Sequence, residues 1–493
     1  MNGRLDHERA PIYETLTNYV ASGIYGFHTP GHKWGRFAAP ELTELVGRSG
    51  LALDLPSMTA TDNTFHPTHC VRDAQALAAD LFGAGSTFYL TAGSTLGITT
   101  ALLAAVPPGG TVVIPRNVHR SVVAGLVLSG ALPRFVKHDV LAECGALGVS
   151  ASAVKSALEK DPTPSAVLLT RPSYYGLARD LEEVAAVCHA RNVPLIIDEA
   201  HGGHFCFMPG VAPKSALESG ADLAVQSCHK TLGSLVGSAQ LHVSKNSLVA
   251  ADDVQHALNF LQTTSPNLLL LASLDVQRRW LAREGCALFA EAEAAAKRLR
   301  REIGAIHGMR VFGIEGNATL AGHRVDPLRL VVNVTGTGWD GYEVERFLRT
   351  EFKVEDEMAD QFSVVYILSP HDDEAAMGRL VEGLKAVAKA SKPHAEEARL
   401  AENVDPHLLQ PPIPPLAMAP RDAALAKQTM VRREEAAGRT CAEMVMFYPP
   451  GIPLLMPGET VTREVLDVCR RLLAAGANPY ASDTTFETIC VVK

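Results

Sequence analysis

The stretch PLIIDEAHGGH at residues 194–204, followed by ADLAVQSCHK at 221–230, decides how this chain folds. PLII is a short apolar run with β-branched residues, the composition of a strand covered on both faces. Asp198 closes that run, at the strand end where open α/β sheets bind their ligands. ADLAVQS reads as a second strand, and Lys230 follows it, 32 residues after Asp198. A carboxylate at one strand end and a primary amine at the next can face one ligand. Taken singly, Asp198 also reads as a helix N-cap and Lys230 as a solvated loop lysine.

Outward from this pair, residues 72–243 alternate helical text with short β-rich runs. The strand candidates are TFYLTA, TVVIPR, LPRFVKH, SAVLLTRP, VPLIIDEA, ADLAVQS and AQLHVS. Between them lie AQALAADLFGA, SVVAGLVLSGA, ASAVKSALEKD and LEEVAAVCHARN, all of helical pattern. This alternation predicts an α/β fold of right-handed βαβ units on a mainly parallel sheet. A long helix is expected over roughly 275–304 from its Ala/Glu/Arg content. RLVVNVTG, FSVVYILS and AAMGRLVEGLKAVAKA then suggest a smaller α+β unit. The Pro-rich, charged stretch 391–420 reads as a connecting strap. The expected divisions are an N-terminal segment (1–70), a large domain (71–310), a small α+β domain (311–395) and a C-terminal lobe (396–493).

Composition narrows the class. Of 493 residues, 47% are hydrophobic and 20% charged, which excludes disorder as a description of the whole chain. A net charge of −9 argues against a general nucleic-acid binder. The longest uncharged apolar run, 268–274, is far shorter than the ~20 residues of a membrane span. MNGRLDHERAPIYETL has no apolar core of the signal-peptide kind. Nine scattered cysteines without a CxxC pair suggest neither a disulfide framework nor a zinc site, and a cytoplasmic protein is expected.

Two further features carry chemistry. LTAGSTLGITTALLA sets Gly93, Ser94 and Thr95 between a strand and a helix, so their amides and hydroxyls form either an anion site or an ordinary cap. IPRNVHRS puts His119 just past another strand, placed to stack on a flat ligand or to serve as a structural hydrogen-bond partner. Together with Asp198 and Lys230 this set suits pyridoxal 5′-phosphate. The lysine would form a Schiff base, and the aspartate would keep the pyridine nitrogen protonated so that the ring acts as electron sink. HTPGHK, with His28, His32 and Lys33, lacks an acidic or thiol partner at ligand spacing and is read as structural; no metal is expected.

HTPGHK, the GST turn, PRNVHRS, DEAHGGH, SCHK, TTSP at 263–266 and YPPGIPLLMPGE resemble, in the same order, the motifs of the fold type I ornithine/lysine/arginine decarboxylases. The resemblance spans nearly the whole chain, and the length is similar to that of the short bacterial members read as arginine decarboxylases. It implies Lys230 as the cofactor lysine, Asp198 as partner of the pyridine nitrogen and His119 as the stacking ring. Gly93, Ser94, Thr95, Ser227 and His201 would complete the cofactor site. Thr263 and Ser265 would reach the phosphate from a second subunit, implying at least a homodimer with shared active sites. His229 would contact the substrate carboxylate or deliver a proton, and Glu459 would bind the substrate's distal cation. The implied activity is decarboxylation of a basic amino acid, arginine to agmatine, with lysine or ornithine as the alternative.

This chain departs from the family pattern at Val236 and Gly237, where a Thr/Ser–Gln pair is common. It also departs at Asn267 and Leu268, where an aromatic often follows TTSP, and in DNTFHPTHC, which lacks a glycine after the proline. These bear on the substrate pocket. Rival readings are an aminotransferase or lyase, with Arg439 or Arg471 for the substrate carboxylate, and a non-catalytic protein that kept the fold.

Overall fold

The computed structural model describes residues 5–141, 145–146, 148–160, 163–312, 323–390, 410, 412–448, 451–474 and 476–493. All seven strand candidates form: β1 (Ser86–Leu90), β2 (Thr111–Pro115), β3 (Leu132–Val136), β4 (Ala166–Thr170), β5 (Leu195–Asp198), β6 (Leu223–Gln226) and β7 (Ala239–Val243). They make one sheet in the order β1-β7-β6-β5-β4-β2-β3. Strands β3, β2, β4, β5 and β6 are parallel, whereas β7 runs antiparallel to both its neighbours. The stretch between β6 and β7 holds only the four-residue helix Cys228–Thr231, too little for a crossover, so the chain turns back.

The apolar runs are explained by cover on both faces. Val112 and Ile114 of β2 join one core with Leu168, Ile196 and Val225; Val113 joins another with Val167, Leu195 and Ile197. Successive side chains of a strand point to opposite faces, so both must be apolar. Helices α1 (Gly93–Ala105) and α2 (Arg120–Ser129) follow β1 and β2 directly, which brings their N-termini to the sheet's carboxyl edge.

The long helix, α3 (Leu268–Gly304), begins seven residues before the expected start. Asn267 caps it by accepting from the Leu270 amide, and Leu268, Leu271 and Leu274 are buried in a third core. The departure at Asn267 thus has a local structural use. In the smaller unit, β8 (Arg329–Asn333) pairs antiparallel with β9 (Ser363–Ile367). The helix Glu374–Lys389 follows, capped by Asp373.

The strap expectation falls largely on residues 391–409 and 411, outside the described residues. The C-terminal lobe has its own core, including Val445, Leu455, Val465, Phe486 and Ile489. It rests on the large sheet's helices: Arg421 donates to the Leu128 carbonyl, and Arg120 stacks over Tyr480 at 4.6 Å. Among the described residues no helix is long and apolar enough to cross a membrane.

Candidate active site

The carboxyl edge of the sheet opens into a cavity of about 280 Å³. Asp198, at the end of β5, and Lys230, just beyond β6, both line it. His119 enters from the loop after β2; Gly93, Ser94 and Thr95 enter at the start of α1. His201, Ser227 and His229 line the same cavity. Nine of the twelve nominated residues therefore meet, although they span 137 positions of sequence from Gly93 to Lys230; Thr263, Ser265 and Glu459 do not line the cavity.

The turn into α1 is fixed from outside. Gly93 has a positive φ of 67°, which favours glycine, and its amide donates to the Gly237 carbonyl at 2.7 Å. The Gly237 carbonyl thus anchors this turn, and the positive φ of 91° at Gly237 favours glycine there. Amides of a helix's first turn have no intrahelical partner, and the Ser94 and Ser227 hydroxyls lie 2.6 Å apart beside them. Amides and hydroxyls converging at a helix N-terminus suit a phosphate. The Thr170 hydroxyl, at the end of β4, lines the cavity and is buried without a partner among the described residues.

The charged groups are tuned by burial. Asp198 is 4% exposed and accepts from the Ala200 amide. Burial holds the Lys230 amine below the ordinary lysine range, with the Asp198 and Glu357 charges opposing and Arg329 adding to the effect. Burial likewise lowers His119, against the pull of Asp198. His119 caps α2, its Nδ1 accepting from the Ser121 amide and lying 2.8 Å from the Ser121 hydroxyl. His229 Nδ1 donates to the Ser238 carbonyl at 2.8 Å, so Nε2 is the ring's remaining acceptor in its neutral form.

Glu459 requires a correction. Its carboxylate is fully buried and grips Arg116 at 2.5 and 3.0 Å, while one oxygen also accepts from the Met456 amide. Both oxygens are engaged inside the contact between the C-terminal lobe and the large domain, so it is placed to hold that contact and not a substrate cation. Thr263 and Ser265 are exposed and do not line their own chain's cavity. Arg439 donates to the Val492 carbonyl within the C-terminal lobe, away from the cavity lining.

Several lining groups were not among the nominated residues. Tyr174 and Tyr175 follow β4, and Tyr448, Gly451 and Ile452 arrive from the C-terminal lobe. Pro449 and Pro450 of the YPPG motif lie outside the described residues. The Tyr174 ring meets His201 edge-on at 4.9 Å, and its hydroxyl donates to Glu357 at 2.5 Å. The position of SYYG just after an apolar run was the available clue.

Residues 10–325 match the major domain, and 405–478 the C-terminal domain, of the Orn/Lys/Arg decarboxylases. The chain is 37% identical to the arginine decarboxylase of Halalkalibacterium halodurans, over 99% of this chain and 98% of that protein. It is also 37% identical to the arginine decarboxylase of Bacillus subtilis, over 99% of each. The constitutive lysine decarboxylase of Escherichia coli shares the fold with a TM-score of 0.83 at 20% identity, covering 99% of this chain and 82% of that one. With the cavity geometry and a near-full-length match in agreement, the chain belongs to the Orn/Lys/Arg decarboxylase family of fold type I, pyridoxal-phosphate-dependent enzymes.

Proposed function

We propose that the chain decarboxylates arginine to agmatine, with pyridoxal phosphate held in the cavity between α1, Asp198 and Lys230. The observation that carries this reading is the meeting of a buried carboxylate, a half-buried amine and a helix N-terminus in one cavity. When bound, the cofactor supplies the electron sink for the negative charge left at Cα as carbon dioxide departs.

The protein's own groups divide the remaining work. Ser94, Thr95 and Ser227 offer hydroxyls to the phosphate, joined by the first-turn amides of α1. Asp198 supplies a carboxylate for a protonated ring nitrogen, and His119 supplies a flat face. His229 Nε2 is the acceptor available to take up a proton and return it at Cα. The choice of arginine over lysine and ornithine rests on the names of the two full-length relatives. Incubation with each of the three amino acids and analysis of the amines will decide it. Agmatine is expected; cadaverine or putrescine as the main product overturns the choice.

With Glu459 committed to Arg116, the distal cation requires another carboxylate. Glu357 fills that role in this reading: it is exposed, Tyr174 from the cavity wall holds it, and its charge is felt at Lys230. Glu357→Gln should raise KM for arginine on the order of tenfold, the worth of one charged hydrogen bond, with kcat nearly unchanged. An unaltered KM removes Glu357 from the substrate site.

A dimer with Thr263 and Ser265 reaching the neighbouring site remains part of the proposal. Tyr25, Phe27, Phe37 and Val236 are each at least 80% exposed, an unusual load of apolar surface for a lone chain.

A further inference from the structure

We propose that Arg329 is a positioning residue which, through the tautomer of His201, holds the Lys230 amine in its uncharged, nucleophilic state. This deepens the reading of Lys230 as the cofactor lysine and rests on it.

The argument begins with donors and acceptors. A guanidinium carries five N–H donors and no acceptor. Arg329 Nη2 lies 2.8 Å from His201 Nδ1, so Nδ1 must be the acceptor. A neutral imidazole that accepts at Nδ1 carries its proton on Nε2. That Nε2 lies 2.9 Å from Lys230 Nζ. An N–H facing the lysine nitrogen needs a lone pair there, which an amine has and an ammonium lacks. The reverse tautomer would set the Nδ1 proton against the Arg329 donor.

Arg329 is built for this contact. It sits on β8 in the run DPLRLVVN and is 1% exposed. Its stem packs so closely on Gly176 that a Cβ there would lie 2.4 Å from the Arg329 Cβ. Tyr174 lies 5.8 Å from the guanidinium. Nε and Nη1 are buried without hydrogen-bond partners, so among the described residues the side chain spends its directed bonding on His201. Asp326 and Glu357 offset part of its charge, but a buried guanidinium with so few directed bonds is still costly as structure, and what it adds is its hold on His201.

The surrounding charges agree. Burial first, then Lys230, Arg329, His119 and His204, hold His201 well below the ordinary histidine range, so it stays neutral. Lys230 faces Asp198 and Glu357, which favour its charged form; burial and Arg329 oppose them and prevail.

The test reads the amine without turnover. Full-length protein freed of cofactor is labelled with trace acetic anhydride across pH, and modification at Lys230 is followed by mass spectrometry. Circular dichroism on the same samples reports folding. The wild-type midpoint should lie below the ordinary lysine value of about 10.4. R329M should raise that midpoint and cut the neutral-pH labelling rate about tenfold; R329K, which keeps both charge and donor, should restore it. H201F should shift it in the same direction, and R329M/H201F should shift it by less than the sum of the two single shifts, because the two residues share one contact while the Arg329 charge also acts on Lys230 directly. A wild-type midpoint at the ordinary value overturns the proposal without needing any variant. So does a folded R329M with the wild-type midpoint, an R329K that fails to restore labelling, or additive shifts in the double variant. None of these outcomes bears on whether agmatine is formed, so the two readings fail separately.

Discussion

Lys230→Ala should abolish covalent capture of the cofactor and lower turnover by on the order of 10⁴-fold. Lys230 contributes the primary amine of the cavity, placed opposite Asp198 and against His201. Removing it takes away both the point of attachment and a group able to carry a proton at the reacting carbon. The check is direct: borohydride reduction of the loaded protein followed by mass spectrometry, alongside the visible absorbance of the lysine-bound cofactor. A K230A protein that still traps cofactor and keeps the visible band removes Lys230 from its assigned role. The other cavity groups remain in the variant, so it should still bind pyridoxal phosphate reversibly. Loss of attachment with retained binding would separate the lysine's chemistry from the phosphate site.

Glu459→Ala should lower stability by about 3–5 kcal/mol, the usual cost of removing one partner from a buried ion pair. Arg116 is 1% exposed and Glu459 fully buried, and among the described residues Arg116 would keep only its hydrogen bond to the Leu454 carbonyl. Denaturant unfolding followed by fluorescence and circular dichroism will measure the loss. The transition need not be two-state in a chain of this size, so the first loss of structure is the relevant signal. The double substitution R116M/E459L should cost less than the sum of the single changes, because it strands no buried charge. For the fraction that stays folded, KM for arginine should be close to wild type. The opposite pattern, unchanged stability with a raised KM, would return Glu459 to the substrate site.

These cases show where sequence and structure part company. Glu459 follows a Pro–Gly turn in a motif associated with substrate recognition, and nothing local distinguishes an exposed carboxylate from a buried one. Its partner, Arg116, lies 343 positions earlier. The strand AQLHVS was legible as a strand but not as the antiparallel member, since direction depends on whether the preceding connection can cross the sheet. Arg329 could be seen as a charge within an apolar strand; its meaning depended on His201, which lies 128 positions away.

By itself, the sequence determined the α/β sheet, because strands covered on both faces must be written as nearly continuous apolar runs. It also determined that Asp198 and Lys230 share the sheet's carboxyl edge, because each follows such a run. The tertiary structure decided which polar groups remain free to act. It buried Glu459 against Arg116, joined Tyr174 of the cavity wall to Glu357, and set Arg329 against His201. Local pattern specifies the element on which a side chain sits, whereas availability for chemistry depends on hydrogen-bond partners that only long-range packing supplies.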